Sequence, residues 1–125
     1  MTATRPERFR DHFENPRGEG RLDNANVSVR VVNPACGDVL ELSGLLTDQE
    51  VVDLRFHARG CSSSIAAASG LVELTRGQCL ERVRQIEQKD LEAVIGKLAP
   101  LSQHAFDLAL EGLKKLLIEG GRPYV

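Results

Sequence analysis

The chain has 125 residues, of which 42% are apolar and 27% are charged, with a formal net charge of -2 at pH 7. This length predicts a single domain over residues 1–125, and the negative charge argues against nucleic-acid binding, which usually needs a basic face. No apolar run approaches the ~18 residues that cross a bilayer, and the N-terminus lacks a signal-peptide pattern. We therefore expect a cytoplasmic protein without a membrane partner, whose thiols stay reduced.

The first predicted elements are a short helix and three strands. Phe9 and Phe13 are four positions apart, which places them on one face of a helix that Pro16 ends. From residue 27 onward, apolar and polar residues alternate, which predicts strands with one buried face. The predicted strands are residues 27–31, 39–46 and 52–59.

The turn cluster at 47–50 is short enough to join the last two strands as an antiparallel hairpin. Helices must cover the apolar face of such a sheet. The segment 61–77, CSSSIAAASGLVELTRG, predicts one, with serines as N-terminal caps and Gly77 at its end. One or two short helices between residues 80 and 95 and a long helix over residues 104–118 follow. The predicted fold is α+β: a small three-stranded antiparallel sheet with helices packed on one side, a short N-terminal helix and a long C-terminal helix.

Two of the three cysteines are predicted to meet at one edge of the sheet. Cys36 lies between the first two strands, and Cys61 directly follows the third, so an antiparallel meander places both at the same edge. Asp38 is two residues from Cys36 and points to the same side in extended chain. The helix N-terminus at Cys61 favours a thiolate, the form that binds metal. Each cysteine alone could be a packing residue, but together with the carboxylate they favour metal or sulfur chemistry.

The other candidates give weaker signals. Cys79 lies roughly 22–24 Å from Cys61 along the intervening helix, at ~1.5 Å per residue, so it is predicted to be a helix-start or packing residue. His104 opens the last helix, where the dipole disfavours a cation, and we expect a neutral imidazole that is able to bind metal. His12 and His57 are predicted to be solvated or locally hydrogen-bonded.

Four sequence motifs resemble those of a known family. DHFENPRGEG lies near the N-terminus, NPACGD and FHARGCSSSIAAAS contain the two converging cysteines, and LAPLSQHA precedes the last helix. Together they resemble the IscU-type iron–sulfur cluster assembly scaffolds, the family that includes SufU and the N-terminal domain of NifU. The resemblance covers nearly the whole chain, and its two cysteine motifs have the family's spacing and order.

The resemblance implies a scaffold with no catalytic residue of its own, rather than an enzyme. Cys36 and Cys61 would bind a transient [2Fe–2S] cluster, Asp38 would keep it labile, and His104 would complete its coordination. Sulfur would come from a cysteine desulfurase, and the cluster would pass to acceptor apo-proteins.

Two departures from the family pattern matter. Ala105 stands where the family has a third cysteine, and alanine can bind neither iron nor sulfur. A second thiol or a second subunit of a homo-oligomer would be the source of a missing ligand. The segment that recruits an Hsp70-type chaperone in some members, LPPVK, reads LAPLS here, which argues against that partner.

Other functions stay open from the sequence. The same two cysteines, aspartate and histidine suit Zn²⁺, which predicts a zinc-bound protein that accepts or relays sulfur. The alanine at position 105 also fits a regulatory relative that has lost assembly activity. A thiol hydrolase would need an oriented Cys–His pair, for which the sequence has no signature.

Overall fold

The computed structural model of the chain describes residues 5–120. The predicted α+β architecture is confirmed, and the region between residues 80 and 95 holds two short helices. The elements in chain order are α1 (Arg5–Glu14), β1 (Val27–Val32), β2 (Val39–Leu46), β3 (Val51–Arg59), α2 (Ser62–Thr75), α3 (Leu80–Val83), α4 (Gln88–Ile95), a 3₁₀ turn (Pro100–Ser102) and α5 (His104–Gly120).

Within residues 5–120 the strands form one antiparallel sheet in the order β1-β2-β3. The register places Val29 opposite Leu42 and Leu42 opposite Phe56, and all three side chains are buried. The neighbouring positions Arg30 and His57 lie on the other face and are exposed. The alternation in the sequence therefore identifies the two faces of the sheet correctly, and His57 is solvated as predicted.

Helices α2 and α5 cover the buried face of the sheet. Helix α5 contacts β1 and β2, whereas α2 contacts β3. The two helices also pack on each other, and α4 closes the core beside α2. Phe106 of α5 and Leu71 of α2 are fully buried in this core. The fold thus holds the N-termini of α2 and α5 on the same side of the sheet, and this arrangement positions the candidate site.

The buried face of α1 differs from the prediction. Phe9 packs against the core, but Phe13 is 41% exposed, and His12 is buried with only 3% of its surface exposed. The prediction of a solvated or locally bonded His12 is therefore wrong. Positions 9 and 12 are three apart, so they share the face that α1 turns toward α2.

His12 belongs to a buried polar cluster between α1 and α2. Its Nδ1 lies 2.7 Å from Ser69 Oγ, which also accepts a hydrogen bond from the Arg17 amide at 2.8 Å. Its Nε2 lies 3.6 Å from a Glu73 carboxylate oxygen. Burial lowers the pKa of His12, and the charge of Arg17 lowers it further, against the opposing effects of Glu73 and Asp11. The neutral form therefore joins the two helices.

Part of the segment between α1 and β1 pairs with the sheet. The amide of Gly20 donates to the Phe56 carbonyl at 2.7 Å, and the amide of Phe56 donates to the Gly18 carbonyl at 2.8 Å. Further along, the Leu22 amide donates to Ser43 Oγ at 3.0 Å. The segment therefore borders the outer edge of β3 before the chain enters β1.

Candidate functional site

The sheet brings Cys36 and Cys61 to the same edge, as predicted. Val39, directly after the loop that carries Cys36, pairs with Val32 on one side and with Arg59 on the other. Cys61 follows Arg59 by two residues and occupies the N-cap position of α2. Both cysteines are exposed and reduced.

Cys79 lies at the opposite end of the sheet. It forms an isolated backbone bridge with Glu50, which immediately precedes the start of β3, whereas Cys61 follows the end of β3. Cys79 occupies the N-cap position of α3 and is exposed. The prediction of a helix-start residue that cannot join the other two cysteines is therefore confirmed.

Asp38 is the centre of the site, and the residue is only 8% exposed. Its Oδ2 accepts a hydrogen bond from Ser64 Oγ at 2.7 Å and one from the Cys61 thiol at 3.3 Å. The Cys61 backbone amide also points at this oxygen, at 3.5 Å. Asp38 thus provides, from a distant part of the sequence, the carboxylate that a helix N-terminus favours.

The pKa of Asp38 reflects these contacts. Burial alone would raise it, but the hydrogen bonds from Ser64, Cys61 and Cys36 outweigh burial and hold the pKa below its ordinary value. The carboxylate is therefore ionised at neutral pH. An ionised carboxylate beside two thiols is a suitable set of donors for a metal cation.

Gly60 makes the position of Asp38 sterically accessible. A Cβ atom on Gly60 would lie 2.6 Å from Asp38 Oδ1 and 2.7 Å from Oδ2, well inside van der Waals contact. Gly60 also has a φ of +153°, which side-chain-bearing residues rarely adopt. Glycine at position 60 is therefore required for Asp38 to reach the N-terminus of α2.

His104 presents one ring nitrogen to the same site. Its Nδ1 lies 3.0 Å from the carbonyl oxygen of Leu101. Because a carbonyl only accepts hydrogen bonds, Nδ1 carries the proton in the neutral ring, and Nε2 then has the lone pair that a metal needs. Nε2 lies 3.7 Å from Asp38 Oδ2 and 3.9 Å from Cys61 Sγ. A histidine that donates one nitrogen to a backbone carbonyl while the other faces acidic groups is typical of metal ligands.

The donor atoms are close enough to share an ion. One ligand atom each from Cys36, Asp38 and His104 lies within 4.8 Å of the others. The Cys61 thiol borders this group through its contacts with Asp38 and His104. All four residues selected from the sequence therefore converge, and their chemistry suits iron or zinc.

Two contributors to the site are absent from the sequence interpretation, which assigned the serines of CSSS to helix capping. That assignment is wrong: Cys61 is the N-cap of α2, and no side chain caps it. Ser64 instead binds Asp38. Gly60 is the second contributor, and the only signal for it in the sequence is its place next to Cys61.

Ala105, where the resemblance to the family leads one to expect a third cysteine, is 1% exposed and belongs to the hydrophobic core. Its methyl group offers no donor atom. The described site therefore has two thiols, a carboxylate and an imidazole.

Comparison with known proteins agrees with this geometry. The family described as "NifU-like N terminal domain" matches residues 5–119 of the chain. The chain belongs to this family. The resemblance inferred from the sequence motifs is thereby confirmed.

Curated relatives of this family member include iron–sulfur cluster assembly scaffold proteins. IscU of Aquifex aeolicus is 36% identical over 122 residues, which cover 93% of this chain and 78% of the relative. IscU of Escherichia coli K12 is 34% identical over 117 residues, which cover 90% of this chain and 91% of the relative.

Solved structures show the same fold. A protein of Fervidobacterium islandicum AW-1, described as an iron–sulfur cluster assembly scaffold for the SUF system, superposes with a TM-score of 0.75 at 22% identity, covering 89% of this chain and 94% of that one. A NifU-like protein (N-terminal) of Brucella abortus gives a TM-score of 0.74 at 13% identity, covering 90% and 91%. In the described part of this family member, none of the helices has the length and apolarity to cross a membrane.

Proposed function

We propose that this chain is a cytoplasmic, single-domain scaffold for iron–sulfur cluster assembly. It accepts sulfur from a cysteine desulfurase, holds a transient [2Fe–2S] cluster as cargo, and passes the cluster to acceptor apo-proteins. The observation that carries the proposal is the convergence of Cys36, Asp38 and His104 within 4.8 Å, in a chain of the NifU-like N-terminal family. In this proposal the chain binds iron and sulfur while the cluster forms, and no residue is assigned a catalytic role.

The four proposed ligands differ in how firmly they bind. Cys36 and Cys61 provide thiolates, the usual ligands of iron–sulfur clusters. His104 offers Nε2, whose orientation the Leu101 carbonyl fixes. Asp38 contributes a harder oxygen donor that iron–sulfur clusters seldom use, so its bond should exchange more easily than a thiolate bond. A mixed ligand set of this kind favours temporary storage over permanent retention.

Sulfur enters by thiol exchange in this proposal. The thiolate of Cys36 or Cys61 attacks the terminal sulfur of a desulfurase persulfide, so that one S–S bond forms as another breaks and the desulfurase thiolate leaves. Both cysteines are exposed at the sheet edge, which allows a partner's persulfide to approach. With Ala105 in place of the third thiol, these two residues are the proposed sulfur acceptors.

A zinc-bound sulfur acceptor is the second candidate function, and one observation favours it. With bonds of about 2.0–2.3 Å, one tetrahedral Zn²⁺ holds its ligand atoms roughly 3.3–3.8 Å apart. The spacing from Asp38 to His104 is 3.7 Å, which is within that range. These two ligand atoms are therefore spaced as the ligands of a single ion would be.

The test is anaerobic reconstitution with iron, cysteine and a cysteine desulfurase, followed by visible absorption and by transfer to an apo-ferredoxin. We expect a transferable cluster in the unmutated chain and its loss in Cys36→Ser and Cys61→Ser. Cys79→Ser is the matched control, because that exposed cysteine lies at the other end of the sheet.

Failure of the unmutated protein to form a cluster, together with stoichiometric zinc after anaerobic purification, would reject the scaffold proposal in favour of the zinc-bound acceptor. Loss of the cluster in Cys79→Ser would contradict the assignment of the site itself.

A further inference from the structure

Ser64 is a buried hydroxyl in the first turn of α2, three residues after Cys61. It is 3% exposed. Its Oγ lies 2.7 Å from Asp38 Oδ2 and 3.5 Å from Cys61 Sγ. One small side chain therefore contacts both a carboxylate and a thiol of the candidate site.

The usual roles of a serine at a helix start do not explain Ser64. A capping serine occupies the N-cap position, but that position belongs to Cys61, and no side chain makes a capping hydrogen bond there. The Ser64 backbone amide is bonded to the Cys61 carbonyl at 3.1 Å, so Ser64 already belongs to the helix. Its hydroxyl proton is directed to Asp38, because a carboxylate oxygen at 2.7 Å is a better acceptor than a sulfur at 3.5 Å.

The Cys61 thiol cannot hold Asp38 once a metal binds. Cysteine binds metal as the thiolate, so the S–H donor to Asp38 Oδ2 is lost on metal binding. The Ser64 hydroxyl has no such conflict and remains a donor. Its bond uses only part of the acceptor capacity of the carboxylate, which leaves lone pairs for an ion.

We propose that Ser64 is a positioning residue that holds the Asp38 carboxylate in place for metal binding. The inference rests on the proposed role of Asp38 as a ligand. Removing a side chain that hydrogen-bonds a metal ligand typically weakens metal binding about 10- to 100-fold. Ser64 acts through Asp38 and is not itself a ligand.

The test is a titration of the reduced, full-length chain with Co²⁺ under anaerobic conditions. The thiolate-to-cobalt absorption band measures the bound metal at each step. We expect Ser64→Ala to bind Co²⁺ about 10- to 100-fold more weakly than the unmutated chain. Ser64→Thr keeps the hydroxyl and should restore most of the affinity. Urea unfolding of each variant confirms that it is folded.

Two matched controls separate positioning from general damage. Ser63→Ala removes the hydroxyl of a neighbouring, mostly buried serine, for which no hydrogen bond is found within residues 5–120. Ser69→Ala removes a buried hydrogen bond to His12, which is not among the site residues, and Ser69 lies five positions after Ser64 along α2. Ser69→Ala should unfold at lower urea concentration, yet both controls should bind Co²⁺ as the unmutated chain does.

The inference is overturned if Ser64→Ala stays within about twofold of the unmutated affinity, or if Ser63→Ala weakens Co²⁺ binding equally. Neither desulfurase nor cluster takes part in this titration. A chain that forms no cluster but shows the Ser64 effect would reject only the scaffold proposal. A chain that forms a cluster without the Ser64 effect would reject only the positioning role.

Discussion

Replacing Gly60 by alanine should displace Asp38 from the N-terminus of α2. The added methyl carbon would lie 2.6 and 2.7 Å from the two carboxylate oxygens, so the carboxylate must move. Moving it breaks the 2.7 Å hydrogen bond from Ser64. The loss of a charge-assisted bond costs about 1.5–3 kcal/mol. The backbone at φ +153° adds about 1–3 kcal/mol of strain.

The expected loss of unfolding free energy for Gly60→Ala is therefore roughly 2.5–6 kcal/mol, a large part of the 5–15 kcal/mol of a typical domain. Urea unfolding measures it. Gly37→Ala is the matched control, because Gly37 has a φ of +78° but no atom within 4 Å of an added Cβ. That control should lose only the backbone cost of about 1–2 kcal/mol.

A double-mutant cycle isolates the clash. The atoms nearest the added methyl all belong to the Asp38 carboxyl group, so Asp38→Ala removes them. In that background, Gly60→Ala should cost only its backbone strain, and the coupling should be about 1.5–3 kcal/mol. Equal losses for Gly60→Ala and Gly37→Ala, with no coupling to position 38, would refute the steric argument.

Two further predictions concern other parts of the chain. Because the folded state lowers the pKa of His12, stability should be full above the ordinary histidine pKa near 6.5 and fall as the pH drops below it, by at most about 1.4 kcal/mol per pH unit. Urea unfolding midpoints measured between pH 7.5 and 5.5 report this loss of stability. The loss should be smaller in His12→Asn and unchanged in the exposed control His57→Asn. An equal slope in His12→Asn would assign the pH dependence to another group. Ala105→Cys should slow the loss of a reconstituted cluster, and an unchanged half-life would mean that residue 105 does not face the site.

The sheet and the convergence of the site are predictable from the sequence because both follow from local periodicity and short connections. Alternation defines the strands, and a meander leaves Cys36 and Cys61 no option but the same edge. His104 is harder to place, since its approach depends on how α5 packs. Its position at a helix start nevertheless marks it as a candidate.

The details that sequence reasoning misses depend on contacts between distant segments. His12 reads as a surface residue because nothing in α1 indicates Ser69, which is 57 residues away. Ser64 reads as a cap because the competing acceptor, Asp38, is 26 residues away. In both cases a tertiary partner with a stronger hydrogen bond replaces the local one.

The pairing of Gly18 and Gly20 with Phe56 also bears on self-association. An unpaired edge strand is a template on which another chain can add, and this is a common start of aggregation. At Phe56 both the amide and the carbonyl are already bonded within the molecule. An incoming strand therefore finds no free backbone pair at that point of β3. The segment before β1 thus blocks edge-to-edge pairing with another chain at this point of β3.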